Sequence, residues 1–209
     1  SSEDQLLLKK LNDVDHLFSE EKVLKAEIKK DSAALHELTK DTIESFHSIG
    51  LQYMTITRFI PVGIGDGARD LVLTPAQLIE AFQIAYDYNN SGRGPHIEFA
   101  EATPFCTLPE HLRSIANCCS YGYDRFYVDV TGEVLVCGRS RIKLGGNILN
   151  NTLSEIKRNS DVYRMFIENQ HVPDTCVDCD TFSLCHGGCR AAALSTGKWE
   201  KAKDPNMTR

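Results

Sequence analysis

Eight cysteines are the side chains of this chain whose type and spacing are best suited to chemistry. They form a scattered upstream set and a compact pattern near the end: Cys106, Cys118, Cys119 and Cys137, then Cys176-x2-Cys179-x5-Cys185-x3-Cys189. Two thiolates three residues apart can bind one metal centre, and the short remaining spacers bring further thiolates close. The spacing therefore predicts metal ligation, and the two sets can meet only through folding.

Other uses of cysteine compete with this prediction. A disulfide framework is typical of small secreted chains, but the start SSEDQLLLKK has none of the features of a secretory signal. A structural zinc site needs only four thiolates in a tetrahedron and has no redox role. Cys106 and Cys118 taken alone would also pack as small buried hydrophobes. His186, inside the pattern, is expected to be a hydrogen-bonding neighbour rather than a ligand.

The elements that must position these cysteines change character near Pro104. Before it, the pattern predicts strands at 23–28, 51–60 and 96–102 and helices at 32–49 and 75–88, after an opening polar helix. This alternation is typical of a parallel sheet or part of a barrel, so the predicted fold class is α/β. Beyond Pro104, short strands at 126–130 and 133–137 form a hairpin, and helices at 153–158 and 161–169 precede the cysteine loop.

Charge and hydropathy exclude two classes of partner. The net charge is -6 and the 23 Lys and Arg are scattered, which argues against a nucleic-acid surface. No run of eighteen apolar residues occurs, so no membrane span is expected. We therefore expect a cytoplasmic protein that binds neither nucleic acid nor membrane.

Residues 104 to 207 resemble the SPASM domain of radical S-adenosylmethionine enzymes. The pattern of that domain is a cysteine, a gap, Gly-x4-Cys, a long gap and then Cys-x2-Cys-x5-Cys-x3-Cys, which this chain matches with Gly132-x4-Cys137 and the terminal pattern. The segments VDVTGEVLVC, GGNILNNTLSEI and CHGGCRAAA also fit. The resemblance implies one or two auxiliary 4Fe-4S clusters.

The resemblance also implies which thiols hold each cluster. The first cluster would take Cys119, Cys137 and Cys189, and the second would take Cys176, Cys179 and Cys185. For the fourth ligand of the first cluster, Cys106 is favoured over Cys118.

The fourth ligand of the second cluster departs from the family. The family usually closes this cluster with a later cysteine, often after Asp-Pro, but this chain has Asp204-Pro205-Asn206-Met207. Met207 as a thioether ligand, an open or oxygen-held iron, and a cysteine beyond residue 209 all stay open.

The first hundred residues resemble the later strands of the radical S-adenosylmethionine barrel. The segment TRFIPVGIGDG fits the strand that borders the adenosine pocket, which implies contacts, largely through the backbone, from Arg58, Phe59, Ile60 and Pro61. A plain buried strand with a glycine-rich turn explains the same residues. The family's Cys-x3-Cys-x2-Cys motif, which holds the cluster that cleaves S-adenosylmethionine, is absent from the sequence.

The resemblance therefore implies the C-terminal portion of a longer enzyme. Residues 1–103 would be the end of a partial (β/α)6 TIM-like barrel, and residues 104–209 would be the SPASM domain. Such a parent uses S-adenosylmethionine to generate a radical, and it often modifies a peptide or protein. An electron donor such as flavodoxin or ferredoxin is implied as well. A non-catalytic module that binds zinc or a single cluster is the alternative, and an electron-transfer protein is disfavoured because it would have no use for the α/β half.

Overall fold

The computed structural model describes residues 32–209, so the opening helix and the strand at 23–28 lie outside the described residues. The chain divides into two compact units. The first contains the described residues up to Ile56 together with Ala76–Glu98, and the second contains Thr57–Pro75 together with Phe99–Arg209. The division at residue 103, drawn from the family, stays a prediction.

The first unit is built from two helices and a two-stranded sheet. Its elements are α1 (Ser32–Ser48), β1 (Tyr53–Ile56), α2 (Pro75–Ser91) and β2 (His96–Phe99), and β1 pairs with β2. Proline suits the start of α2 because the first helical position needs no N–H donor. Leu78, Phe82 and Ala85 lie on the buried face of α2 at helical spacing.

Residues 57–71 depart from the predicted strand and loop. The strand expected over 51–60 is limited to Tyr53–Ile56. The glycine-rich segment that follows is a 3₁₀ helix, Gly63–Leu71, with a kink at Ala68.

The second unit contains a three-stranded antiparallel sheet. Its strands are β3 (Tyr127–Val128), β4 (Glu133–Leu135) and β5 (Lys143–Asn147), in the order β3-β4-β5. The turn between β3 and β4 is held by Asp129, whose carboxylate accepts the backbone N–H groups of Thr131 and Glu133 at 2.8 and 3.1 Å. Strand β5 was not predicted because its sequence, KLGGN, has low β propensity.

Short helices follow this sheet. They are α3 (Leu153–Asn159), α4 (Asp161–Ile167), α5 (Asp174–Val177), α6 (Phe182–Cys185) and α7 (Arg190–Ala193). Thr152 and Glu155 form a capping box at the start of α3, and the Ser160 hydroxyl caps α4.

Two apolar clusters stabilise the second unit. One joins the sheet to α3 and α4 through Val134, Val136, Leu144, Ile156 and Phe166. The other joins Ile60 and Ala102 to Cys189 and to two alanines of α7, Ala191 and Ala192. In the part of the chain that the structure describes, no helix combines the length and apolar character needed to cross a membrane.

Candidate metal centres

Four thiols line one cavity of about 610 Å³ in the second unit. We call them the first thiol group: Cys118, Cys119, Cys137 and Cys189. Cys137 follows β4 and Cys189 immediately precedes α7, while the two adjacent cysteines lie in the loop before β3. The fold therefore gathers thiols that are up to 71 residues apart in the sequence.

Side chains outside this group fix its backbone. The Asp204 carboxylate accepts the backbone N–H of Cys189 at 2.9 Å. A ring nitrogen of His186 lies 2.8 Å from the carbonyl oxygen of Cys119. The expected role of His186 as a neighbour rather than a ligand is consistent with this contact.

Burial disfavours the ionised form of two thiols in this group, Cys119 and Cys189. It raises the pKa of Cys119 to about 12, and the charge of Cys189 acts in the same direction. Burial also raises the pKa of Cys189 to about 11, although the nearby Arg58 guanidinium acts in the opposite direction. Cysteine binds a metal as a thiolate. A bound cationic centre would therefore hold both residues in the ionised form.

A second cavity is lined by the remaining four thiols. We call them the second thiol group: Cys106, Cys176, Cys179 and Cys185. Met207 and Arg209 line the same cavity, and the Arg209 guanidinium lies 3.5 Å from the sulfur of Cys179. The backbone N–H of Phe105 donates to the sulfur of Cys185 at 3.3 Å.

The thiols of the second group differ in environment. Burial raises the pKa of both Cys176 and Cys185. A hydrogen bond with the Thr181 hydroxyl lowers the pKa of Cys179, which is half-buried, whereas Cys176 and Cys185 are buried. Cys179 therefore becomes a thiolate more readily than Cys176 or Cys185.

A two-glycine turn separates the last thiols of the two groups. Gly187 and Gly188 have φ of 76° and 75°, in the left-handed region that favours glycine. A side chain at Gly188 would also lie 2.9 Å from the ring of Pro104. The turn lets Cys185 line the second cavity while Cys189, four residues later, lines the first.

Each thiol group has the number of donors that one 4Fe-4S cluster takes, one thiolate at each of its four irons. A structural zinc would also take four thiolates. Among residues 32–209, no three Cys, His, Asp or Glu side chains are arranged to hold one metal ion. The second cavity has a volume of about 10 Å³, so it must widen to admit a cluster.

The cavity linings concern the two cysteines between which the sequence left the fourth ligand of the first cluster open. Cys106, the favoured one, lines the second cavity, and Cys118, the other candidate, lines the first. Sequence spacing could not distinguish them because neither lies within a fixed-gap motif. Which thiol binds which cluster stays a prediction.

Arg58 is a further residue whose surroundings the sequence did not reveal. Its side chain is 3% exposed. Its guanidinium donates to Asp204 at 2.5 and 3.0 Å, to Asn206 at 2.6 Å and to the carbonyl of Ala102 at 2.7 Å. The Arg58 side chain therefore links Asp204, Asn206 and Ala102 in a buried hydrogen-bond network. Backbone contacts of residues 58–61 with S-adenosylmethionine stay a prediction.

Part of the chain matches a known iron-sulfur domain, and most of it aligns with two curated enzymes. The SPASM family model, an iron-sulfur cluster-binding domain, matches residues 118–180. The AdoMet-dependent heme synthase of Nitratidesulfovibrio vulgaris is 25% identical over 189 residues, covering 80% of this chain and 51% of that protein. The enzyme of the same name from Oleidesulfovibrio alaskensis is 22% identical over 183 residues, covering 81% and 47%. The chain spans about half the length of these curated relatives.

Solved structures share the fold. Streptococcus suis SuiB bound to S-adenosylmethionine superposes with a TM-score of 0.53 at 16% identity, covering 86% of this chain and 43% of that one. Histidine-tagged anSMEcpe with bound AdoMet gives a TM-score of 0.50 at 17% identity, covering 81% and 47%. This chain thus shares its mixed α/β fold with these two solved structures.

Proposed function

Because the chain contains the SPASM iron-sulfur domain and is related to radical S-adenosylmethionine proteins, we propose that it holds two auxiliary 4Fe-4S clusters. They would serve a parent enzyme that modifies a peptide or protein by radical chemistry. The observation that carries this proposal is that all eight cysteines line two cavities, four in each.

Each thiol group would hold one cluster. When bound, such clusters exchange single electrons at potentials set by burial, charge and hydrogen bonds to sulfur. The chain supplies these influences through backbone N–H groups that point at sulfur, from Arg139 to Cys137 at 3.4 Å and from Phe105 to Cys185 at 3.3 Å. Donors of this kind stabilise negative charge on the thiolate without a proton transfer.

The lining of the first cavity offers polar side chains to a substrate. Its volume of about 610 Å³ lies within the ordinary range of ligand pockets. Beside the thiols it is lined by Asn117, Tyr121, Arg125 and Arg139. These side chains offer the donors and acceptors that a peptide backbone uses.

A tetrapyrrole is the second candidate substrate class. Two observations favour it: both curated relatives are named heme synthases, and two arginines line the first cavity. Tetrapyrroles carry carboxylate side chains, and guanidinium groups bind carboxylates well. Of the two, Arg139 already pairs with Glu101, so Arg125 is the better placed to accept such a group.

Metal analysis tests the cluster proposal. The chain is purified without oxygen, and iron, sulfide and zinc are measured per chain. About eight irons with equal sulfide support two clusters. About four irons contradict the second cluster, and zinc without sulfide contradicts both and restores the structural-module alternative.

The parent enzyme's reaction needs the protein in its full natural length. We expect reductant, or a flavodoxin or ferredoxin, to drive S-adenosylmethionine cleavage that a peptide substrate accelerates. Acceleration by a tetrapyrrole alone would establish the second candidate, and Arg125→Met should then raise KM with little change in kcat. Cluster-loaded protein that cleaves no S-adenosylmethionine would contradict the enzyme proposal.

A further inference from the structure

Two distant segments lie side by side at the second cavity. The Thr208 hydroxyl donates to the carbonyl oxygen of Cys106 at 2.8 Å. The next residue after Cys106, Thr107, donates its hydroxyl to the carbonyl oxygen of Asn206, two residues before Thr208. The backbone at Cys106 therefore lies beside the Asp204–Met207 segment.

The neighbours of Cys106 are thiols of the second group. The residue before it, Phe105, donates its backbone N–H to the Cys185 sulfur at 3.3 Å. Turn hydrogen bonds from Thr107 to Pro104 and from Leu108 to Phe105, at 3.1 and 3.2 Å, keep this segment compact. The Cys106 side chain is therefore held at the edge of the second cavity by its own backbone.

Met207 also lines this cavity, but its chemistry is inferior for iron. Clusters of this type are held by thiolates, whose negative charge compensates the iron. A thioether is neutral and a weak ligand, and it suits soft metals such as Cu(I). Where a thiol and a thioether border the same cavity, the thiol is the favoured iron ligand.

We propose that Cys106 is the fourth thiolate of the second cluster, in the role that the family gives to a later cysteine and where this chain has Met207. This inference rests on the proposed function. It also leaves Cys118 as the remaining thiol beside Cys119, Cys137 and Cys189 at the first cavity.

The test compares Cys106→Ala with Met207→Leu in the whole chain after anaerobic loading with iron and sulfide. We expect Met207→Leu to retain about eight irons, like the original chain, and Cys106→Ala to lose about half of them. The spectrum of the reduced protein by electron paramagnetic resonance should lose the signal of one cluster in Cys106→Ala only. Iron loss in Met207→Leu with none in Cys106→Ala would overturn the inference.

A rescue variant separates ligation from folding. Because the two segments adjoin at one cavity, Cys106→Ala combined with Met207→Cys should regain the lost irons and the lost signal. An equal iron loss that the added cysteine fails to restore, with circular dichroism showing lost structure, would mean that Cys106 acts in packing and would also overturn the inference.

The control is the original chain itself. If it takes up no iron with sulfide, the proposed function fails. If it binds two clusters and Cys106→Ala keeps both with unchanged spectra, only the present inference fails.

Discussion

Removing the carboxylate of Asp204 should destabilise the protein strongly. Asp204 pairs with Arg58 through both guanidinium ends, and the two side chains are 0% and 3% exposed. The same carboxylate accepts the backbone N–H groups of Cys189 and Asn206 at 2.9 and 3.0 Å. Asp204→Ala therefore leaves one buried positive charge and two buried donors without their acceptor.

The size of the effect follows from these contacts. Breaking a buried ion pair by removing one partner costs about 3–5 kcal/mol. Each orphaned backbone donor adds about 1–3 kcal/mol, reduced where the chain relaxes. We expect Asp204→Ala to lower the free energy of unfolding by at least about 3 kcal/mol, a large part of the roughly 5–15 kcal/mol typical of a folded domain.

Urea unfolding of the metal-free, reduced protein measures this change without a contribution from cluster binding. With a slope of about 2 kcal/mol per molar urea, the midpoint should fall by about 1.5 M or more. The matched control is Arg164→Ala, which removes an exposed ion pair in which the Arg164 guanidinium lies 3.0 Å from the Asp161 carboxylate. That pair should contribute about 0–1 kcal/mol.

The outcome that would refute this reasoning is an Asp204→Ala midpoint within error of the Arg164→Ala midpoint. A double-variant cycle with Arg58→Met adds a second check. We expect the two changes together to cost less than the sum of the single costs, since each single change leaves a buried charge without its partner. Additive costs would show that the two groups do not interact.

Three further predictions concern packing, pH and capping. Gly122→Ala should cost about 2 kcal/mol or more in thermal unfolding, because its Cβ would overlap the Phe166 ring and its φ is 91°; Gly67→Ala, with nothing within 4 Å, should cost under about 1 kcal/mol. Burial holds the pKa of His171 at about 4, below its ordinary 6.5. On acidification the unfolded chain therefore takes up this proton first, and the free energy of unfolding falls by up to about 3 kcal/mol between about pH 6.5 and about pH 4. His171→Gln should flatten this pH dependence, and an unchanged slope would contradict the assignment. Removing the capping box of α3 with Thr152→Ala should cost about 1 kcal/mol in urea unfolding, and no loss would show that the cap is replaced by water.

Local patterns in the sequence predict the helices well. The helix expected over 32–49 is Ser32–Ser48, and the one expected over 75–88 is Pro75–Ser91. Both predictions give the first residue of the helix correctly. The 3₁₀ helix Gly63–Leu71 was missed because alternating glycines are typical of loops.

Long-range pairing explains what the sequence could not predict at the candidate site. The terminal cysteine pattern has fixed gaps, so its chemistry is readable from spacing alone. Cys106 lies 70 residues before Cys176, and no spacing rule connects them. Arg58 and Asp204 are 146 residues apart, and their pairing depends on how the whole second unit folds.

That separation sets the order of events during synthesis. Chains are made at about 5–20 residues per second, so roughly 7–30 s pass between the appearance of Arg58 and that of Asp204, 146 residues later. In this interval every cysteine has been made, yet the carboxylate that fixes the Cys189 backbone has not. We expect the first thiol group to gain its final geometry only late in translation, so that iron and sulfide delivered earlier would meet thiols that are not yet arranged to hold them.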